Sequence, residues 1–154
     1  MHIELPSEEA TLALGARLAR HVVAGAVIHL RGELGAGKTT LVRGLLRALG
    51  HEGKVKSPTY TLLEPYRIQG RRIIHIDLYR LAAPEEAEYL GLREEAGEAI
   101  LLVEWPEKGE DVLPPPDLEV RLRYRKEGRA AVLRARTPKG EAWLAALGED
   151  EKKR

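Results

Sequence analysis

Apolar residues recur at helical spacing from Ser7 to about Val23, with Ala10, Leu14, Leu18 and Val22 on one face. Ser7 stands where an N-cap belongs, Glu8 and Glu9 fall in the first turn, and Gly25 marks the stop. The run Ala26-Val27-Ile28-His29-Leu30 then reads as a short buried strand. Beyond a glycine-rich stretch, Leu41, Leu45 and Leu49, flanked by Val42 and Leu46, predict a second helix that ends at Gly50. Ile73-Ile74-His75-Ile76-Asp77 and Ala99-Ile100-Leu101-Leu102-Val103-Glu104 are continuous apolar runs closed by an acid, as expected of buried parallel strands. Between them, Pro84 to Leu92 opens on proline and glutamates like a short helix. Val55 to Glu64 is β-prone but interrupted by Pro58.

After the stiff Leu113-Pro114-Pro115-Pro116 connector, Leu118 to Arg125 and Arg129 to Arg136 flank Lys126-Glu127-Gly128 as a hairpin, and Glu141 to Leu147 reads as a closing helix. These elements predict one domain over residues 1–147 with a charged, frayed tail at 148–154. Strand, glycine loop and helix in succession, with further buried strands behind, predict a three-layer α/β fold with a largely parallel central sheet and a C-terminal antiparallel hairpin.

The glycine-rich stretch sharpens the picture. Gly32-Glu33-Leu34-Gly35-Ala36-Gly37-Lys38-Thr39 has the spacing G-x-x-x-x-G-K-[ST], between a predicted strand and a predicted helix. Such a loop turns backbone N–H groups toward phosphate oxygens at a positive helix terminus. Gly32, Leu34, Gly35, Ala36, Gly37 and Thr40 are candidate phosphate-loop residues; Lys38 is the mobile cation for the outer phosphates and Thr39 the hydroxyl for Mg²⁺. Glu104, closing the most apolar run, is the candidate metal-site carboxylate. Asp77 is a second such carboxylate or the group that orients an attacking water; an ion pair with Arg72 or Arg80 is the plainer alternative. Thr59, in the Ser57-Pro58-Thr59 loop, is placed to sense a γ-phosphate or to make an ordinary turn.

The chain contains no asparagine, so the Asn-Lys-x-Asp element of guanine-specific proteins is excluded and ATP is the expected nucleotide, with Glu8, Thr11 and Arg129 as candidates for the base side. There is no cysteine, which excludes disulfides and thiolate sites. A net charge of +1, from 25 basic and 24 acidic residues, excludes a global polycation. Arg121, Arg123 and Arg125 alternate with Leu122 and Tyr124, which fits a half-solvated strand or a surface for RNA or an acidic partner. The five histidines lack metal-ligand spacing and are assigned no chemistry. No signal peptide or apolar run approaching the roughly 20 residues of a membrane span is present, so a cytoplasmic protein is expected.

Four blocks carry a family resemblance: the loop from Gly32 to Thr40, Val55-Lys56-Ser57-Pro58-Thr59-Tyr60-Thr61-Leu62, His75-Ile76-Asp77-Leu78-Tyr79-Arg80-Leu81 and Val103-Glu104-Trp105-Pro106-Glu107. In this order they resemble the TsaE family. The resemblance implies an Mg²⁺-dependent ATPase needed for threonylcarbamoyladenosine in tRNAs that read codons beginning with A. It would work with the TsaB and TsaD transferase, meet tRNA indirectly, and hydrolyse ATP weakly until its partners stimulate it. It also implies that Lys38 and Thr39 hold phosphate and metal, that Glu104 is the acidic metal-site residue, and that Asp77 is needed for hydrolysis. Thr59 would lie in a nucleotide-responsive loop and Trp105 beside the site. A small-molecule kinase and a non-catalytic nucleotide-gated module are the alternatives.

Overall fold

The computed structural model describes residues Met1–Lys152. Seven strands form one sheet: β1 (His2–Leu5), β2 (Val27–Arg31), β3 (Leu63–Ile68), β4 (Arg71–Asp77), β5 (Ile100–Glu104), β6 (Leu118–Tyr124) and β7 (Arg129–Ala135). Their spatial order is β1-β7-β6-β2-β5-β4-β3. The inner block β6-β2-β5-β4 is parallel, and β1, β7 and β3 add antiparallel flanks. The expected α/β architecture and terminal hairpin are therefore present.

Helices α1 (Glu8–His21), α2 (Lys38–Leu49) and α3 (Pro138–Lys152) cover one face, where Leu14, Leu18, Leu41, Leu45 and Trp143 meet Ile28 and Leu102. Alternate residues of β2, β5 and β4, Val27, Leu101, Val103, Ile74 and Ile76, point the other way and pack with Leu78, Leu81, Ala87, Leu92 and Leu113. Ser7 caps α1 by accepting from the Ala10 N–H at 3.2 Å. The two glycines where α1 and α2 cross let backbone meet backbone: a Cβ on Gly15 would stand 2.7 Å from the Leu45 nitrogen, and one on Gly44 would stand 2.9 Å from the Leu12 Cα.

Four local expectations change. Residues 2–5 form an edge strand that alternation over so short a stretch does not signal. The β-prone stretch from Val55 is not extended: Pro58 to Leu62 turns, and β3 begins at Leu63 with Pro65 inside it, an arrangement open to an edge strand because proline has no N–H for a further partner. Pro84–Leu90 is a 3-10 helix, tighter than the α-helix its pattern predicts. The tail expected to fray is helical through Lys152, because Arg17, buried beneath it, pairs with Glu151 at 2.5 Å and His21 bonds Asp150 at 2.7 Å. Of the predicted tail, Lys153 and Arg154 lie outside the described residues. Among the described residues no helix is long and apolar enough to cross a membrane.

Candidate nucleotide and metal site

Parallel pairing brings the C-terminal ends of three strands level: Leu30 of β2 is opposite Glu104 of β5, which is opposite Asp77 of β4. The chain leaves β2 between β5 and β6, and ligands of parallel α/β sheets collect at that edge, beyond the strand ends. Gly32, Gly35 and Gly37 have φ of 150°, 77° and 107°, in the region that favours glycine, and wrap the loop onto the first turn of α2. A Cβ on Gly32 would stand 2.7 Å from the Leu122 carbonyl oxygen, so that position also needs the absence of a side chain.

The loop faces a cleft of about 500 Å³ bounded by Lys38, Thr39, Thr59, Asp77, Glu104 and Trp105, with Leu34, Gly35, Gly37 and Thr40 along its floor. Two candidates stand apart from it. The Gly32 carbonyl accepts from the Lys38 ammonium, whereas the Ala36 side chain is buried and its N–H already bonds Glu33 at 3.1 Å. Lys38 is buried and also lies over the Trp105 ring, 3.8 Å from its centroid. Burial pulls its pKa down, against the opposing pull of Glu104, Glu107 and Asp77.

Glu104 is 3% exposed and accepts from the Thr39 hydroxyl at 3.1 and 3.2 Å, one distance to each carboxylate oxygen. Asp77 accepts from the Tyr79 N–H at 2.9 Å and from the Thr59 hydroxyl at 3.4 Å, which brings the Thr59 loop to the carboxylate that closes β4. Burial raises the Asp77 pKa, and the neighbouring Glu104 charge adds to the rise. No ion pair joins Asp77 to Arg72 or Arg80 among the described residues: Arg72 pairs with Glu95 at 2.5 Å, and Arg80 stacks on Tyr60, 4.5 Å from the ring centroid.

Three residues make contacts at the site that the sequence reading does not assign to them. His75 bonds Glu104 from beneath at 2.6 Å, a contact between two strands that no spacing in the chain announces. The hairpin braces the phosphate loop: Tyr124 donates its hydroxyl to the Leu34 carbonyl, and Arg129 donates to the Gly35 carbonyl at 3.3 Å. Behind the loop a second cleft of about 360 Å³ brings together Glu8, Thr11, Arg43 and Arg129.

The arrangement can hold a polyphosphate along the loop, with a cation at one end and two carboxylates beyond it. Residues 5–132 match the family described as threonylcarbamoyl adenosine biosynthesis protein TsaE. The Haemophilus influenzae protein named tRNA threonylcarbamoyladenosine biosynthesis protein TsaE is 45% identical over 149 residues, covering 93% of this chain and 94% of its own length. A protein of the same name from Aquifex aeolicus is 43% identical over 106 residues, 68% of this chain and 75% of its own. Among solved structures, Bacillus subtilis YdiB superposes with a TM-score of 0.81 at 26% identity, covering 98% of this chain and 95% of its own. A phosphate loop followed by level carboxylates, together with the family match over residues 5–132 and a relative covered to 94% of its length, leads to one assignment: the chain belongs to the TsaE family, whose members are P-loop ATPase-type proteins of tRNA threonylcarbamoyladenosine biosynthesis.

Proposed function

We propose that the protein binds ATP with Mg²⁺ and hydrolyses it, coupling turnover to the TsaB and TsaD transferase that threonylcarbamoylates tRNA in the cytoplasm. The carrying observation is Glu104, a buried carboxylate that accepts the Thr39 hydroxyl one strand from Asp77. Hydroxyl and carboxylate oxygens suit Mg²⁺, which is usually held by one or two protein groups plus phosphates and water. Thr39 and Glu104 would hold the ion, which when bound supplies positive charge to the outer phosphates.

Lys38 leaves Gly32 and Trp105 for the β- and γ-phosphates, and the loop N–H groups bind the phosphate oxygens. The base lies toward Glu8, Thr11 and Arg129. A water oxygen bonds to the γ-phosphorus as its bond to the bridging oxygen breaks, releasing ADP and inorganic phosphate. Asp77 orients that water, and Thr59, bonded to Asp77, links the 57–61 loop to the state of the γ-phosphate.

The test is phosphate release by the purified protein, alone and with TsaB and TsaD, with Lys38→Ala as the blank. Stimulation by the partners that Lys38→Ala abolishes supports the reading. Phosphate appearing on a small acceptor, with no response to partners, would make the protein a kinase. Normal tRNA modification by Asp77→Ala and Glu104→Ala variants that bind ATP without turning it over would make it a nucleotide-gated module.

A further inference from the structure

We propose that His75 is a positioning residue for the metal site, holding the Glu104 carboxylate in the one orientation that presents it to Thr39 and the cation. The inference rests on the reading of Thr39 and Glu104 as the Mg²⁺ side of a nucleotide site.

His75 has no exposed surface and lies on β4 two residues before Asp77, so both side chains leave the same face of the sheet. Its strand partner is Leu102, and Glu104 is two residues further along β5. The imidazole therefore sits one row behind the carboxylate, and its Nε2 reaches Glu104 Oε2 at 2.6 Å. Nε2 faces a carboxylate oxygen, which accepts, so Nε2 is the donor, and Nδ1 is buried with no partner among the described residues. Leaving a buried polar atom unpaired costs on the order of 1–3 kcal/mol, a cost an apolar residue like its buried neighbours Ile73 and Leu102 would not incur.

Glu104 has donors on two sides. The Thr39 hydroxyl bonds both oxygens from the cleft, and His75 bonds Oε2 from the core. Thr39 would offer a cation an oxygen lone pair while its proton still faces Glu104, and the His75 bond holds Oε2 from the core side in either case. Hydrogen bonds of this kind to metal-binding carboxylates are worth about 10- to 100-fold in metal affinity or activity.

The test compares two amides. His75→Gln can place an N–H near the position of Nε2, whereas His75→Asn is one methylene shorter and cannot reach Oε2. Mn²⁺ binding to the protein–ADP complex is read from the free-ion EPR signal, and ADP affinity is measured separately in EDTA. Expected is roughly 10- to 100-fold weaker Mn²⁺ binding for the asparagine variant, near wild-type binding for the glutamine variant, and unchanged ADP affinity in EDTA for both. If the asparagine variant does not fold, His75→Leu, of similar volume and without a donor, takes its place.

Equal Mn²⁺ affinity for the donor-less variant and the wild type, or no rescue by glutamine, overturns the role of His75. Parallel losses in EDTA and with metal would make the residue merely structural and overturn it too. Lys38→Ala separates this from the underlying reading. Tight Mn²⁺–ADP binding by the wild type that Lys38→Ala loses keeps the nucleotide site even if His75 proves idle. Equally weak binding by both would remove the site reading and this inference together.

Discussion

Gly44→Ala should destabilise the protein even though alanine is the better helix former. In an open helix interior the substitution stabilises by about 1 kcal/mol. At position 44 the new Cβ would stand 2.9 Å from the Leu12 Cα and carbonyl carbon, and closer still to its oxygen. Carbon atoms rest at about 3.5–4.0 Å, so α1 and α2 must separate by roughly 0.6–1 Å, and a gap of that size forfeits about a quarter to a half of the dispersion energy at each contact along the seam. Overpacking costs about 1–3 kcal/mol, and backbone cannot swing aside as a side chain can, which places this case at the upper end. Subtracting the helix-propensity gain leaves a net loss of about 2 kcal/mol, or roughly 4–8 °C in Tm for a chain of this size. Gly148 in α3 is the control, since its Cβ would meet only the Met1 Cε at 3.6 Å, an ordinary contact. Gly148→Ala should therefore gain up to about 1 kcal/mol. Urea unfolding of the two variants beside the wild type measures both. Equal or greater stability for Gly44→Ala would refute the view that the helix carrying Lys38 and Thr39 is seated by backbone contact with α1.

Three other outcomes are expected. Asp77→Asn should raise the Tm of the nucleotide-free protein at neutral pH, because burial pushes the Asp77 pKa up and its ionisation opposes folding; the gain should vanish below the ordinary aspartate range, where both states are protonated, while turnover falls about 10²- to 10⁴-fold. A neutral-pH Tm at or below wild type would contradict this. Burial holds the His29 pKa down from 6.5 to about 4, so the unfolded chain binds the extra proton first, and stability should fall by roughly 3 kcal/mol as pH drops across that window; chemical unfolding at several pH values should show His29→Leu losing that slope. Nucleotide should change the emission of Trp105, whose ring carries the Lys38 ammonium at 3.8 Å, and leave buried Trp143, bonded to the Leu18 carbonyl at 3.0 Å, silent; Trp105→Phe should abolish the change, and a signal that survives it would show that Trp143 is the reporter and overturn the prediction.

What the sequence discloses about the site follows how local each feature is. The phosphate loop is legible because its function depends on consecutive backbone conformations that glycines write into the spacing. Asp77 and Glu104 are legible because an acid ending a buried apolar run is costly without a task. Ala36 fits the motif by spacing, yet its N–H is already used within the loop. His75, Tyr124 and Arg129 lie 29, 90 and 94 residues from the partners they bond, distances at which neither periodicity nor spacing speaks. The same limit hid β1, which is set by pairing with β7, and the helical tail, which is held by the buried Arg17. The β3 shift has a nearer cause: β-propensity between Val55 and Leu62 yields to the turn at Pro58, and the strand forms where the antiparallel return to β4 can close.

The two borders of the sheet also bear on how the protein behaves in a crowded solution. β1 offers only four residues, and β3 carries Pro65 in its interior with Glu64 and Arg67 to either side. A foreign strand arriving at β3 finds a missing donor and fixed charges, and one arriving at β1 finds little length to grip. Strand-to-strand association through these borders is thereby discouraged, so the sheet is kept from growing into an aggregate at either end.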